Sequence, residues 1–214
     1  MREPPVLAVM TKAPVCGAVN TRLASEIGPV AAAALARTLT ANLLREAARD
    51  PRFRTLLAIS PDEARCAPFT AWRVTLPKKR TGALPPNTFR VPQGRGDLGQ
   101  RMQRIFDRRG LGPLIIVGTD IPFITREIIA KAFRELRRAD AVFGRAEDGG
   151  YWLVGLRRRP RRLAPFENVR WSSPFALADT LRNLRAHRVA FAETLFDIDT
   201  EADYRRYLEK RNSK

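Results

Sequence analysis

Apolar residues along this chain fall into two patterns, short unbroken runs and stripes recurring every third or fourth position, which mark buried strands and the helices packed on them. The first run, Val6-Leu7-Ala8-Val9-Met10, predicts a strand, and a polar, glycine-containing loop follows from Thr11 to Thr21. Pro29 opens an alanine-rich helix with Leu35, Leu39 and Leu43 on one face. Residues 53–60 read as a second strand stopped by Pro61-Asp62, and residues 77–86, with Lys78-Lys79-Arg80 and Pro85-Pro86, as an exposed loop. Phe89-Arg90-Val91 is a weak strand leading through Gln93-Gly94-Arg95-Gly96-Asp97 into a helix whose Leu98, Met102 and Ile105 share a face.

The sharpest signal is Leu114-Ile115-Ile116-Val117-Gly118-Thr119-Asp120-Ile121-Pro122. A β-branched run this short reads as a strand buried on both faces of a parallel sheet, with Asp120 just past its carboxyl end. Thr125 predicts the N-cap of the next helix, with Glu127 in its first turn and Ile128, Ile129, Ala132, Phe133 and Leu136 as its buried stripe. Ala141-Val142-Phe143-Gly144 and Tyr151-Trp152-Leu153-Val154 are strands separated by Glu147-Asp148-Gly149-Gly150. Ser173-Pro174 predicts a helix start, residues 189–191 a last strand, and Thr200 the cap of a terminal helix carrying Tyr204 and Tyr207. Strands and helices alternate for most of the length, which predicts a doubly wound α/β layout. The irregular 157–173 stretch and the late Asp-Gly-Gly-Tyr strand fit a small antiparallel insertion covering one end of the sheet.

Length and composition narrow the class. At 214 residues and 44% hydrophobic content the chain is expected to form a single domain over residues 1–214. Its apolar runs are too short for a membrane span or a signal peptide, so the expectation is a soluble cytoplasmic protein. Cys16 and Cys66 suggest neither a disulfide framework nor a zinc site and are expected to be buried or indifferent thiols. The net charge of +17 raises nucleic-acid binding. However, the densest cluster, Arg157-Arg158-Arg159-Pro160-Arg161-Arg162, lies around a proline with no interleaved aromatics for base stacking.

Several groups could carry chemistry. Asp120, beyond a central strand, is placed to hold a divalent cation against phosphate oxygens, although an Asp-x-Pro can equally close a turn. Lys12, Gly17, Thr21 and Arg22 could cradle a di- or triphosphate, while the loop lacks the Gly-Lys-Ser/Thr frame of a P-loop. Gly94-x-Gly96-x-x-Gly99 matches the dinucleotide fingerprint, but the strand before it, carrying Arg90 and Pro92, is too weak for that site. Gly149 and Gly150 let the backbone near Asp148 approach a ligand closely, or else close a hairpin turn. Asp197 and Asp199 stand two residues apart on one side of an extended segment. His187 is assigned no chemistry.

Together, Lys12-Ala13-Pro14-x-x-Gly17-x-x-x-Thr21-Arg22-Leu23, Gly96-Asp97-Leu98-Gly99-x-Arg101-Met102, Gly118-Thr119-Asp120-Ile121-Pro122, Glu147-Asp148-Gly149-Gly150-Tyr151-Trp152 and Asp197-Ile198-Asp199-Thr200 resemble the bacterial DUF2064 family of GT-A-like transferases, related to nucleotide-diphospho-sugar transferases. The resemblance implies a Rossmann-like GT-A fold, a mixed, mainly parallel sheet flanked by helices. It also implies a nucleotide or nucleotide-sugar substrate, a small-molecule acceptor and Mg²⁺ or Mn²⁺ as cofactor. Carried onto this chain, it places the metal on Asp120, Asp199 and Asp197. Asp120 and Asp148 take the catalytic roles, with Asp148 positioning or deprotonating the acceptor. Substrate contacts fall to Lys12, Gly17, Thr21, Arg22, Gln93, Asp97, Arg101, Gly149, Gly150 and Tyr151. The family usually carries Pro-Gly and Lys-Thr-Arg in its first loop; here stand Cys16-Gly17 and Asn20-Thr21-Arg22, one phosphate-side cation fewer, which leans toward a diphosphate donor. The functional expectation is a metal-dependent glycosyltransferase-like enzyme. A nucleotidyltransferase acting on an NTP and a phosphorylated acceptor is the first alternative, and an inactive basic nucleic-acid-associated protein the second.

Overall fold

A computed structural model describes residues 4–66, 88–108, 112–158 and 162–213. Its strands are β1 (Val6–Lys12), β2 (Arg54–Ser60), β3 (Thr88–Pro92), β4 (Leu114–Val117), β5 (Ala141–Ala146), β6 (Tyr151–Leu156) and β7 (Val189–Leu195). They form one seven-stranded sheet in the order β3-β2-β1-β4-β6-β5-β7. The chain winds outward from β1 to β3 and then crosses to β4 on the other side of β1. This reversal is the topological switch point where open α/β sheets bind ligands, outside the carboxyl ends of their strands.

Helices α1 (Thr21–Ile27), α2 (Pro29–Ala48), α3 (Leu98–Phe106), α4 (Arg126–Leu136), α5 (Ala176–Arg182) and α6 (Glu201–Asn212) flank the sheet. The period-two alternation of β1 divides the core. Leu7 and Val9 pack on one face with Leu44 of α2 and Ile129 of α4, while Val6, Ala8 and Met10 pack on the other with Met102 and Ile105 of α3. Pro29 sits in the first turn of α2 as expected, and Thr125 and Thr200 accept from the backbone N–H groups of Ile128 and Asp203 as N-caps. A third cluster joins Leu23, Leu35 and Leu39 to Phe196, Ile198 and Tyr207. No described helix is long and apolar enough to cross a membrane.

Several elements differ from expectation. β4 pairs in parallel with β1 but antiparallel with β6, so only one of its neighbours is parallel. β6 does not cover an end of the sheet; it lies inside, between β4 and β5, antiparallel to both. Its residues after Tyr151 are all buried, with Trp152 and Leu153 in one core cluster and Val154 and Leu156 in the other, as befits an interior strand. Gly155 permits the fit, because a Cβ there would stand 2.7 Å from a Val142 methyl and 2.8 Å from Ile115 Cγ1. The first loop yields to α1, which breaks from α2 at Gly28 with φ 87°. Ser173-Pro174 does not start α5. The Ser173 hydroxyl donates to the Arg170 carbonyl and accepts from Phe175 N–H, closing a turn ahead of Ala176. Cys16 is a free, exposed thiol, which leaves only the second of the two expectations for it; the Cys66 side chain, the 77–86 loop and residues 159–161 lie outside the described residues.

Candidate active site

Every parallel strand ends at one edge, and the residues singled out from sequence gather there. β1 ends at Lys12, and Thr11 before it is buried, its hydroxyl accepting from Thr119 Oγ1 at 3.2 Å. The loops after β1 and β4 are thereby joined across the switch point. Lys12 is exposed, and its ammonium group has neither hydrogen bond nor ion pair among the described residues. Gly17 (φ 78°) and Asn20 (φ 46°) both adopt left-handed backbone, which turns the loop into α1 and places Thr21 and Arg22 at its exposed start.

Asp120 lies just beyond β4. Its carbonyl accepts from Ile198 N–H at 3.1 Å, tying the 197–199 segment to the switch point. Phe196 and Ile198 are buried in the third cluster, so the alternation of an extended segment turns Asp197 and Asp199 to the other side. Arg22 Nη1 donates to Asp199 Oδ2 at 3.0 Å, linking the first loop to this last one. Asp148 sits on the β5–β6 turn, its carboxylate accepting from Gly150 N–H at 2.8 Å.

These carboxylates feel one another. Burial raises the pKa of Asp120, and the charges of Asp199 and Asp148 raise it further. Asp197 is pushed up to about 6 by burial, then by Asp148, Asp199 and Asp120. Burial also raises Asp199; Arg22 opposes the shift and Asp148 and Asp203 add to it. The edge therefore concentrates negative charge with Arg22 as its paired cation.

Other candidates have structural partners. Gln93 is buried, and its amide donates to the carbonyls of Thr11 and Ala58, both at 3.0 Å, bracing the loop after β3 against β1 and β2. Asp97 caps α3 in a reciprocal capping box with Gln100. Arg101 Nε donates to the Gly96 carbonyl at 2.8 Å, and its Nη1 reaches Ser60 Oγ at 3.4 Å. The Tyr151 hydroxyl lies 3.4 Å from Thr180 Oγ1, and burial raises the pKa of its phenol. Gly149 (φ 89°) packs so closely on the 174 backbone that a Cβ would stand 2.4 Å from the Pro174 carbonyl oxygen. The Asp-Gly-Gly segment is thus a hairpin turn that also presents Asp148 at the edge.

Two functional supports escape the sequence reading. Arg206 of α6 donates through both terminal nitrogens to Glu147, at 2.6 and 3.0 Å, and its guanidinium stacks over Phe196 with 4.1 Å to the ring centre. It fastens the Asp148 turn to the segment carrying Asp197 and Asp199. No sequence signal points to Arg206, which lies 59 positions from its partner. Asp203 completes the capping box on Thr200, and the Thr-x-x-acid spacing could have revealed it.

The model of the DUF2064 family, described as an uncharacterized protein conserved in bacteria, matches residues 40–173. A Desulfovibrio desulfuricans protein, provisionally assigned as a nucleotide-diphospho-sugar transferase, is 28% identical, with 99% of this chain and 95% of that chain covered and a TM-score of 0.79. The 4-diphosphocytidyl-2C-methyl-D-erythritol synthase of Anaerococcus prevotii is 13% identical, with 97% and 99% covered and a TM-score of 0.58. Rv0371C of Mycobacterium tuberculosis, solved as a complex with manganese, is 15% identical, with 98% and 100% covered and a TM-score of 0.53. The last two likenesses carry the fold, a GT-A-like mixed α/β sheet flanked by helices. No curated protein matches the chain.

Proposed function

Because this chain belongs to the DUF2064 family, we propose that it is, as a single domain, a metal-dependent transferase that takes its donor from a nucleotide-activated sugar. The observation that carries this reading is the meeting of Asp120, Asp197, Asp199 and Asp148 with Arg22 at the switch point, the edge where Lys12 ends β1. Asp120, Asp197 and Asp199, partly buried and each raised further by neighbouring carboxylates, form a site short of positive charge, and a divalent cation would supply it. Among the described residues no three His, Cys, Asp or Glu side chains stand ready to enclose an ion. Mg²⁺ or Mn²⁺ would instead be held by one or two carboxylates, Asp120 and Asp199 foremost, together with substrate phosphates. The ion, when bound, neutralises charge developing on the diphosphate leaving group.

The remaining chemistry belongs to this chain's residues. Lys12, free among the described residues, and Arg22 at the start of α1 neutralise the outer phosphate oxygens. Arg22 exchanges part of its contact with Asp199 for phosphate. Asp148, exposed and held by Gly150 N–H, accepts the acceptor hydroxyl proton through its second oxygen as the new bond forms and the bond to the nucleoside diphosphate breaks. Gln93, Asp97, Arg101 and Tyr151 act through the walls they hold. The manganese complex of Rv0371C and the provisional assignment of the Desulfovibrio protein support the reading. The fold shared with the Anaerococcus synthase supports nucleotidyl transfer from an NTP as a second reading.

A thermal-shift screen of nucleotide sugars and NTPs, each with and without Mn²⁺, tests this. A ligand present at a hundred times its Kd adds about 2.7 kcal/mol to the native state, or several degrees in Tm. The expected result is stabilisation by one nucleotide sugar, dependent on Mn²⁺. Stabilisation by an NTP alone favours nucleotidyl transfer, and binding indifferent to metal contradicts the proposal.

A further inference from the structure

At the opposite edge, where β5 and β7 begin and β6 ends, the surface forms a cavity of about 620 Å³ walled by Arg137, Arg138, Asp140, Arg157, Ala186 and Arg188. Six strand residues at about 3.3 Å each separate it from the carboxyl edge by about 20 Å, so it is a different place from the candidate active site. Each arginine stands at the end of an element: Arg137 and Arg138 follow α4, Arg157 follows β6 and Arg188 precedes β7.

Two of the four are built in. Arg157 donates from Nη2 to the Arg137 carbonyl at 2.8 Å and from Nη1 to Asp140 Oδ1 at 3.4 Å. Arg188 donates from Nη1 to the Arg138 carbonyl at 3.0 Å, and its backbone N–H donates to Asp140 Oδ2 at 2.9 Å. The one lining carboxylate is thus engaged through both oxygens, and the Arg137 and Arg138 carbonyls just past the C-terminus of α4, which would repel an anion, are covered by guanidinium groups. Capping of the α4 terminus accounts for Arg157 and Arg188. It does not account for Arg137 and Arg138, whose exposed guanidinium groups have no hydrogen bond or ion pair among the described residues. An adjoining hollow shares both and adds Arg134 and Glu135.

We propose that this cavity is a second anion site, taking a compact ligand that carries two or more adjacent phosphates. Four arginines around one saturated carboxylate leave three positive charges unbalanced. Guanidinium forks match phosphate oxygens in pairs, and two of these forks are already fixed, which lowers the ordering cost of binding. The walls contain no aromatic side chain on which bases could stack, which favours a compact polyphosphate over a nucleic-acid strand.

Calorimetric titration with inorganic tripolyphosphate in metal-free buffer tests the site. The parent is Lys12→Ala/Arg22→Ala, which removes the phosphate-side cations of the carboxyl edge. We expect this parent to bind tripolyphosphate with marked salt dependence, and addition of Arg137→Ala/Arg138→Ala to weaken binding at least tenfold without lowering Tm. Absence of binding by the parent, or equal binding after the second pair of substitutions, overturns the proposal. So does a single-stranded oligonucleotide that binds through Arg137 and Arg138 where tripolyphosphate does not. The unsubstituted carboxyl edge plays no part, so failure here leaves the transferase reading untouched.

Discussion

Asp179 shows how much a single carboxylate can be asked to hold. It is nearly sealed from solvent, at 2% exposure, yet it takes two hydrogen bonds from the Arg170 guanidinium, at 2.8 and 2.9 Å, one from Arg170 N–H and one from Arg182. The Arg170 hydrogen bonds hold its carboxyl well below the ordinary range. An acid depressed in the folded state contributes stability that is complete above its unfolded pKa of about 3.9 and is lost as pH falls toward the folded value. Acid unfolding followed by circular dichroism should therefore show Tm falling below about pH 4 in the wild type, and falling less steeply in Asp179→Asn. Asp179 drew no notice in the sequence because nothing local marks a helix aspartate that pairs with an arginine nine positions earlier. The placement of Asp120 was legible from the buried run of β4 before it, and that of Asp197 and Asp199 from their two-residue spacing on an extended segment. Gln93, Asp97 and Tyr151 were legible as positions near the edge but not as struts, because their partners come from other elements.

Among elements, the β5–β6 hairpin and α6 are joined at the candidate site. The hairpin carries Asp148, α6 follows the Asp197 and Asp199 segment, and Glu147 with Arg206 joins them. Both partners are well exposed, so solvent screens the pair and it adds little to stability. Its contribution is to position the Asp148 turn. Arg206→Ala should shift Tm by no more than about 3 °C. It should lower turnover about tenfold or more, the cost of losing about 1.4 kcal/mol of orientation at the transition state. Arg206→Lys should recover only part of the rate, since an ammonium does not reproduce the paired fork. Unchanged turnover in Arg206→Ala would remove Arg206 from the positioning of Asp148. Strand and helix periodicity made this hairpin visible as two strands and a turn. Its place inside the sheet was hidden, because an apolar run records that both faces are covered and not which strands flank its two edges.

Over the whole molecule, charge divides between the two edges of one sheet. The carboxyl edge gathers acids at the switch point, and the amino edge gathers arginines around Asp140. A net charge of +17 says nothing of this division, and only the strand order distributes the charge. The order itself was only partly readable. Alternation of strands and helices implied a doubly wound sheet, whereas the crossing from β3 to β4 that creates the switch point is a long-range event without a local mark. The central claim is that Asp120 holds a divalent ion against the phosphates of a nucleotide-activated donor. Electron paramagnetic resonance of Mn²⁺ tests it directly, because the free aqueous signal falls as the ion is bound. With the nucleotide sugar selected by thermal shift present, wild-type protein should deplete that signal beyond what the sugar does alone. Asp120→Asn, folded to the same Tm within about 3 °C, should weaken the depletion at least tenfold. Equal depletion by wild type and Asp120→Asn would contradict the account.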